Sequence, residues 1–366
     1  MPPLPPPHPP RPLYPPPLYP LRPSTPSTPP MVQSEQTCMV QSMVPPEQTC
    51  PVGPSVGVPL GSSLFHWQIQ AQLKKIKGVP TEVLSMRDVD GDTPLHIAVA
   101  QGKRPLAYVL ASIMSASGTL NTPERNGQTA LHIATATDQP LIVSDLLEHG
   151  AQVHMRDTWG RSPVHVCVEK GHAESLVAMF KTLRALGKHL DLDMVNYNGL
   201  TSLHVAVLSH NALLRQVRAM GLAMGQGIGS CKERDRLLKM GMNLYKCVKA
   251  LLQNGASVGA KDEKSGRTSI HMAAEEANTD LLHLLLNQPC TPAVVNLRTY
   301  SGNMALHIVC ALEGSKAQLD AVKMLMRRGA DPGARNLENE VPGQLLPEGG
   351  ATNKVRQVLR GRYFQM

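Results

Sequence analysis

Asp90-Gly91-Asp92-Thr93-Pro94-Leu95-His96-Ile97-Ala98 decides the fold, because the chain rewrites it. Gly127, Gly160, Gly199, Gly266 and Gly302 open related phrases that run to His132, His165, His204, His271 and His307. In all six copies Gly and His stand five residues apart. The glycine (Gly91 in the first copy) suits a tight turn that needs a backbone angle other residues avoid. Thr93 and its Thr or Ser counterparts in the next four copies are N-caps, whose hydroxyl satisfies an orphan helix N–H. Pro94 occupies the first helical turn, where its missing N–H costs nothing. The Leu95 column (Leu131, Val164, Leu203, Ile270, Leu306) should face the core. The Ala98 column (Ala134, Cys167, Ala206, Ala273, Val309) is small, as a close helix crossing requires.

A second helix in three of the copies ends in Leu146-Leu147-Glu148-His149-Gly150-Ala151, Leu251-Leu252-Gln253-Asn254-Gly255-Ala256 and Leu325-Met326-Arg327-Arg328-Gly329-Ala330. Gly after such a run is a left-handed helix stop. Together these phrases resemble the ankyrin repeat. The fold expected is an all-α ankyrin-repeat solenoid, with six clear repeats over 88–366 and a degenerate C-terminal cap built on Val355, Val358 and Leu359. The His-to-His spacings are 36, 33, 39, 67 and 36, against an ankyrin period of about 33. The long one marks an insert at about 212–243 in the fourth repeat. Of two segments competing for that repeat's second helix, Leu213–Met220 and Tyr245–Leu252, the latter is preferred because it leads into Asn254-Gly255-Ala256. The Gly- and Met-rich insert then reads as a looped-out segment.

Outside the repeats, residues 1–60 hold 21 of the 32 prolines. A tract of that composition buries too little apolar surface to fold, so 1–62 is expected to be a disordered Pro-rich tail. Pro16-Pro17-Leu18-Tyr19 looks like a WW ligand, and Pro17–Arg22 fits an SH3-ligand pattern, which makes WW and SH3 proteins candidate partners at Pro16–Arg22. Thr25-Pro26 and Thr28-Pro29 suit proline-directed phosphorylation. Over 63–87, Ile69, Leu73 and Ile76 keep helical spacing behind Phe65 and Trp67, as in a helix capping the first repeat. Lys74-Lys75-Ile76-Lys77 reads as its solvated end or as a nuclear localisation signal.

The seven cysteines form no C-x-x-C pair, which suits free thiols in a reducing compartment. No signal peptide and no run of eighteen apolar residues appear, so neither secretion nor a membrane partner is expected. A formal charge of +8 favours nuclear company.

More specific wording narrows the family. Asp88–Val99, Leu190–Thr201, Lys264-Ser265-Gly266-Arg267 and Tyr300-Ser301-Gly302 resemble the IκB family, inhibitors of NF-kappa-B, over roughly 85–360. The likeness is strongest to a short member of its nuclear, or atypical, branch. Residues 1–85 show no paired-serine Asp-Ser-Gly degradation signal. Residues 315–366 carry nine Lys/Arg and five Asp/Glu where the cytoplasmic members have an acidic tail. Both features agree with the nuclear branch.

By that resemblance, Asp90 and Asp92 match acids that contact the basic localisation segment of a Rel subunit; the other reading is that they form the turn. Trp159, Arg161, Tyr197, Arg267 and Tyr300 lie on or beside turn tips, where aromatics and Arg make hot spots; Tyr packing between tips is the other reading. The motif histidines hold turns in register in this fold and lie about one repeat apart, so no metal is expected. No nucleophile–base pair or phosphate-cradling loop stands in suitable context, and Gly225-Gln226-Gly227-Ile228-Gly229 lacks the flanking strand of a dinucleotide site, so neither cofactor nor enzyme activity is expected. The resemblance implies a nuclear regulator that binds NF-kappa-B Rel-homology dimers, chiefly those containing the subunit without an activation domain. DNA would be met only through the dimer, since no groove-entering element is evident. The alternative is a cytoplasmic adaptor for an unrelated client, with the proline tract recruiting WW or SH3 proteins.

Overall fold

The computed structural model describes residues 63–223, 231–313, 315–348 and 352–361. All belong to one compact unit, Pro59–Met366. The WW, SH3 and phosphorylation motifs of residues 16–29 and the coil expected over 1–62 lie outside the described residues.

Helix α1 (Leu64–Ile76) and the short α2 (Thr81–Leu84) precede the stack. Six helix pairs follow: α3 (Pro94–Ala100) with α4 (Arg104–Ala116), α5 (Ala130–Ala136) with α6 (Pro140–Glu148), and α7 (Pro163–Lys170) with α8 (Ala173–Ala185). Then come α9 (Ser202–Ala223) with α10 (Cys231–Gln253), α11 (Ser269–Ala274) with α12 (Thr279–Leu286) and the short α13 (Thr291–Val294), and α14 (Ala305–Cys310) with α15 (Gln318–Arg327). A 3₁₀ turn (Pro342–Gln344) and α16 (Thr352–Leu359) close the chain. No β-strand forms among the described residues. Each first helix packs on the next repeat's first helix, and among the second helices α4 packs on α6, α6 on α8, α8 on α10 and α12 on α15. Such nearest-neighbour burial is what a solenoid requires.

The core follows the sequence columns. Leu95, Leu131, Val164, Leu203, Ile270 and Leu306 are buried, as are Ala98, Ala134, Cys167, Ala206, Ala273 and Val309. Gly150, Gly255 and Gly329 end second helices with φ of +97°, +97° and +87°. At the C-terminal end Val355 and Val358 are buried, and α16 lies on α15. At the N-terminal end α1 lies on α4. Phe65 meets the Tyr108 ring edge-on at 5.6 Å, and the Arg104 guanidinium sits 3.9 Å over the Phe65 ring. Arg104 also pairs with buried Asp145 at 2.7 Å. Trp67, on the same helix, is exposed.

The fourth repeat corrects the looped-out reading of 212–243. Helix α9 runs on to Ala223 and α10 begins at Cys231, so the insert lengthens both helices of the pair instead of leaving them. Leu213 on α9 and Leu237 and Leu244 on α10 form a buried cluster, with Val217 and Met220 against it. The spacing Leu213, Val217, Met220 is one helical face, and that face outweighs the scattered glycines. The extension is tied to the next repeat. Arg215 and Arg218 both reach Glu276, at 2.7 and 3.2 Å. Asn278 donates to Asn211 Oδ1 (2.8 Å), whose own amide donates to the Met272 carbonyl (2.6 Å). The second helix runs through Tyr245–Leu252 into the Gly255 stop.

Candidate interface along the turn tips

Between repeats the chain projects a row of tight turns, and one side chain builds each. Asp88 Oδ1 accepts from the backbone N–H of Asp90 (3.0 Å) and Asp92 (2.8 Å). Asp157 does the same for Trp159 and Arg161, Asn196 for Asn198 and Leu200, and Asp262 for Ser265 and Arg267. This is Asx-turn chemistry. Sequence reasoning centred on the glycine and missed these residues, although an Asp, Asn or Glu three or four positions before the glycine is visible in five copies. Successive tips are then bonded backbone to backbone. Arg125 N–H donates to Asp90 O, Thr158 to Asn126 O, Tyr197 to Trp159 O, Glu263 to Gly199 O, Tyr300 to Ser265 O and Leu337 to Ser301 O.

The six histidines lock the tips to the helices. Nδ1 of His96 accepts from the Thr93 N–H (3.1 Å), and its Nε2 meets the Gln128 carbonyl of the next turn at 3.2 Å. His132, His165, His204, His271 and His307 repeat this, with Nε2 on the carbonyls of Arg161, Leu200, Ala260, Leu297 and Glu340. A carbonyl can only accept, so Nε2 carries the proton and Nδ1 is the acceptor. Burial lowers the pKa of all six, with His165 and His271 brought down to about 4. Both nitrogens of each ring are therefore occupied by the chain itself.

The acidic first tip separates into two roles. Asp88 is consumed by the turn, whereas no hydrogen bond or ion pair among the described residues engages the side chain of Asp90 or Asp92. Burial raises the Asp92 pKa; His96 opposes it, and the charges of Asp88, Glu124 and Asp90 add to it. This is an uncompensated negative tip.

The aromatic positions brace the row and remain open to solvent. The Tyr197 ring covers Gly160 so closely that a Cβ there would lie 2.5 Å from a ring carbon, and Tyr300 covers Gly266 in the same way at 2.6 Å. Yet Tyr197 is 67% exposed, Tyr300 59% and Trp159 51%. With Val89 and Leu337, also exposed, they form an apolar line along the tips.

Arg161 and Arg267 stand differently from the aromatics. Arg161 is pinned by Asp157 (2.8 Å) and Glu169 (2.9 Å) and stacks over Trp159 at 4.6 Å. Arg267 is pinned by Asp262 (3.4 Å) and Glu275 (2.7 Å). Burial pulls the Asp262 pKa up, but hydrogen bonds from Ser265 and Arg267 outweigh it and hold it low. These two guanidiniums are oriented from within the chain, by carboxylates in the turn itself or eight residues on, Glu169 within α7 and Glu275 at the C-terminal end of α11.

Of the four cysteines whose side chains the structure describes, three are buried and Cys290 is exposed. Cys167, Cys247 and Cys310 are buried, and burial pushes Cys247 and Cys310 up to about 12.

Comparison with known proteins places these features in a lineage. A family model described as ankyrin repeats (3 copies) matches residues 68–157 and 239–336. The chain is 47% identical to human NF-kappa-B inhibitor zeta over 306 residues, covering 84% of this chain and 42% of that protein. It is 37% identical to mouse NF-kappa-B inhibitor delta over 309 residues, covering 84% of this chain and 88% of that protein. The crystal structure of the ankyrin repeat domain of Bcl-3, described as a unique member of the IkappaB protein family, aligns with a TM-score of 0.57 at 30% identity. That alignment covers 73% of this chain and 99% of that one. The chain spans less than half the length of inhibitor zeta and most of inhibitor delta.

Proposed function

The chain belongs to the IκB family of ankyrin-repeat proteins, and from that membership we propose that it is a nuclear regulator that binds NF-kappa-B Rel-homology dimers and modulates their activity on DNA. The observation that carries the reading is the row of turn tips: an uncompensated acidic end at Asp90 and Asp92, continued by an exposed line of Trp159, Tyr197 and Tyr300. A basic, flexible segment of a dimer would meet the acidic end, and apolar surface of the dimer would meet the aromatics. Arg161 and Arg267 take part at the rim of the same surface, held in place by their own carboxylates. The dimers favoured are those containing the subunit without an activation domain. No chemical reaction belongs to this function. Its rival, an adaptor recruiting WW or SH3 proteins, rests on Pro16–Arg22 alone.

The experiment is a binding titration of full-length chain against a Rel-homology dimer with and without its basic localisation segment. Asp90→Lys with Asp92→Lys should weaken binding to the dimer that keeps the segment. The loss should shrink above physiological salt, because exposed charges are screened over about 8–10 Å at 0.1–0.15 M. Unchanged affinity at low salt would leave the two acids as turn residues and remove the charge-based part of the reading. Absence of dimer binding altogether would overturn it.

A further inference from the structure

The helix pair of the fourth repeat, α9 with α10, carries most of the chain's excess positive charge. Residues 212–253 hold eight Lys/Arg and two Asp/Glu, a net +6 of the chain's +8. Arg215 and Arg218 are engaged by Glu276, and Arg236 makes only a loose, exposed pair with Glu233 at 3.5 Å. Lys232, Arg234, Lys239, Lys246 and Lys249 are exposed and have no partner among the described residues.

The cations are arranged as well as numerous. Lys232, Arg236, Lys239, Asn243 and Lys246 follow one another at four, three, four and three residues along α10. That spacing is a straight line on a helix, about 21 Å from first to last at the α-helical rise. The buried residues Leu237, Leu244, Val248 and Leu251 occupy the opposite face, against α9 and the stack. Helix α9 has no acidic residue anywhere along its length, so it supplies no neutralising charge. The line itself contains no apolar side chain.

We infer that this line is a phosphate-backbone binding site for duplex DNA. A convex helix surface offers no pocket for the side chains of an acidic peptide, whereas a stiff, regular polyanion can lie along it. Lys, Arg and Asn are residue types that contact phosphate oxygens, and such contacts position a protein without reading sequence. The site goes beyond dimer binding and does not depend on it. Sequence-independent contact of this kind needs no groove-entering element, and the inference thereby departs from the expectation that DNA is met only through a dimer. A dimer bound to its DNA would then be held at two places, its own surface and its DNA backbone.

The test uses the full chain and a fluorescently labelled 20-base-pair duplex, read by anisotropy between 50 and 200 mM salt. Four phosphate contacts give a log–log salt slope of about −3.6, hence a loss of roughly a hundredfold across that range. The variant with Lys232, Arg236, Lys239 and Lys246 all changed to Gln should lose most of the binding at 50 mM and flatten the slope. A control with Lys354→Gln and Arg356→Gln on α16 and Arg360→Gln just after it should shift affinity less than threefold. Circular dichroism reports whether each variant keeps its helices, and the same preparations are titrated with a Rel-homology dimer in the absence of DNA. Loss of duplex binding with dimer binding intact supports the site. The site is overturned by absence of duplex binding to the wild-type chain at 50 mM salt, by equal losses in the two variants, or by a Glu-rich peptide of matched charge binding as tightly as the duplex. Failure to bind the dimer is a separate outcome and bears only on the proposed function.

Discussion

Acidification should dismantle the histidine locks, and the size of the effect follows from their burial. Each of the six imidazoles donates Nε2–H to a carbonyl of the next turn and accepts at Nδ1. Protonating Nδ1 replaces an acceptor with a donor that faces another donor, in a buried place. His165 and His271 have pKa values of about 4 in the fold, against 6.5 for the ordinary side chain. A group with a depressed folded pKa stabilises above its unfolded value and loses that contribution as pH falls toward its folded one. The window therefore runs from about pH 6.5 down to about pH 4. Linkage gives roughly 2 kcal/mol lost per residue between pH 7.5 and 5.0, so about 4 kcal/mol for these two. His96, His132, His204 and His307 shift in the same direction and add to the loss. Glu275 runs the other way, because burial raises its pKa despite Arg267, and it offsets a part of the loss at the acid end. Urea unfolding of the full chain at pH 7.5, 6.0 and 5.0, followed by helical circular dichroism, measures the change. Changing His165 and His271 to Gln should lower stability at pH 7.5 and flatten the pH dependence. Stability that holds level or rises down to pH 5.0, or a pH slope identical in the double variant, would refute the tautomer assignment.

The packing of Tyr197 on Gly160 predicts an asymmetry between two glycines of similar backbone. Gly150→Ala should cost only the left-handed strain, about 1–2 kcal/mol, since nothing lies within 4 Å of a Cβ there. Gly160→Ala should cost clearly more by thermal unfolding, because its Cβ would also lie 2.7 Å from the Tyr197 nitrogen; equal costs would argue against the ring packing. In the fourth repeat, amides around Leu213–Val217 and Leu237–Leu244 should be protected from hydrogen exchange. Leu237→Ala should remove that protection and cost about 2 kcal/mol or more, and free exchange in the wild-type chain would restore the loop reading. Arg104→Ala should strand buried Asp145 and cost about 3–5 kcal/mol, with exchange rising first in α1; a change below 1 kcal/mol in chemical unfolding would count against that anchor.

Much of this molecule is legible in its sequence because a repeat protein is written in local signals. A turn glycine, an N-cap and a first-turn proline act within a few residues of one another, and their recurrence fixes the solenoid without any long-range inference. The core columns at Leu95 and Ala98 follow from the same periodicity. The exposed Asp90 and half-buried Asp92 were legible as charge, though not their separation from Asp88, since which carboxylate turns back on the backbone depends on turn geometry. Three features were decided only by tertiary structure. Helix α9 extends to Ala223 and α10 starts at Cys231 because Leu213, Val217 and Met220 pack against Leu237 and Leu244, a pairing that local glycine content obscured. Arg161 and Arg267 acquired their carboxylate partners because the turn folds back onto the next helix, bringing together residues eight apart that no regular helix would place side by side. Tyr197 reached Gly160, 37 positions earlier, because adjacent tips bond backbone to backbone at a spacing that leaves room for a flat ring over a residue with no side chain.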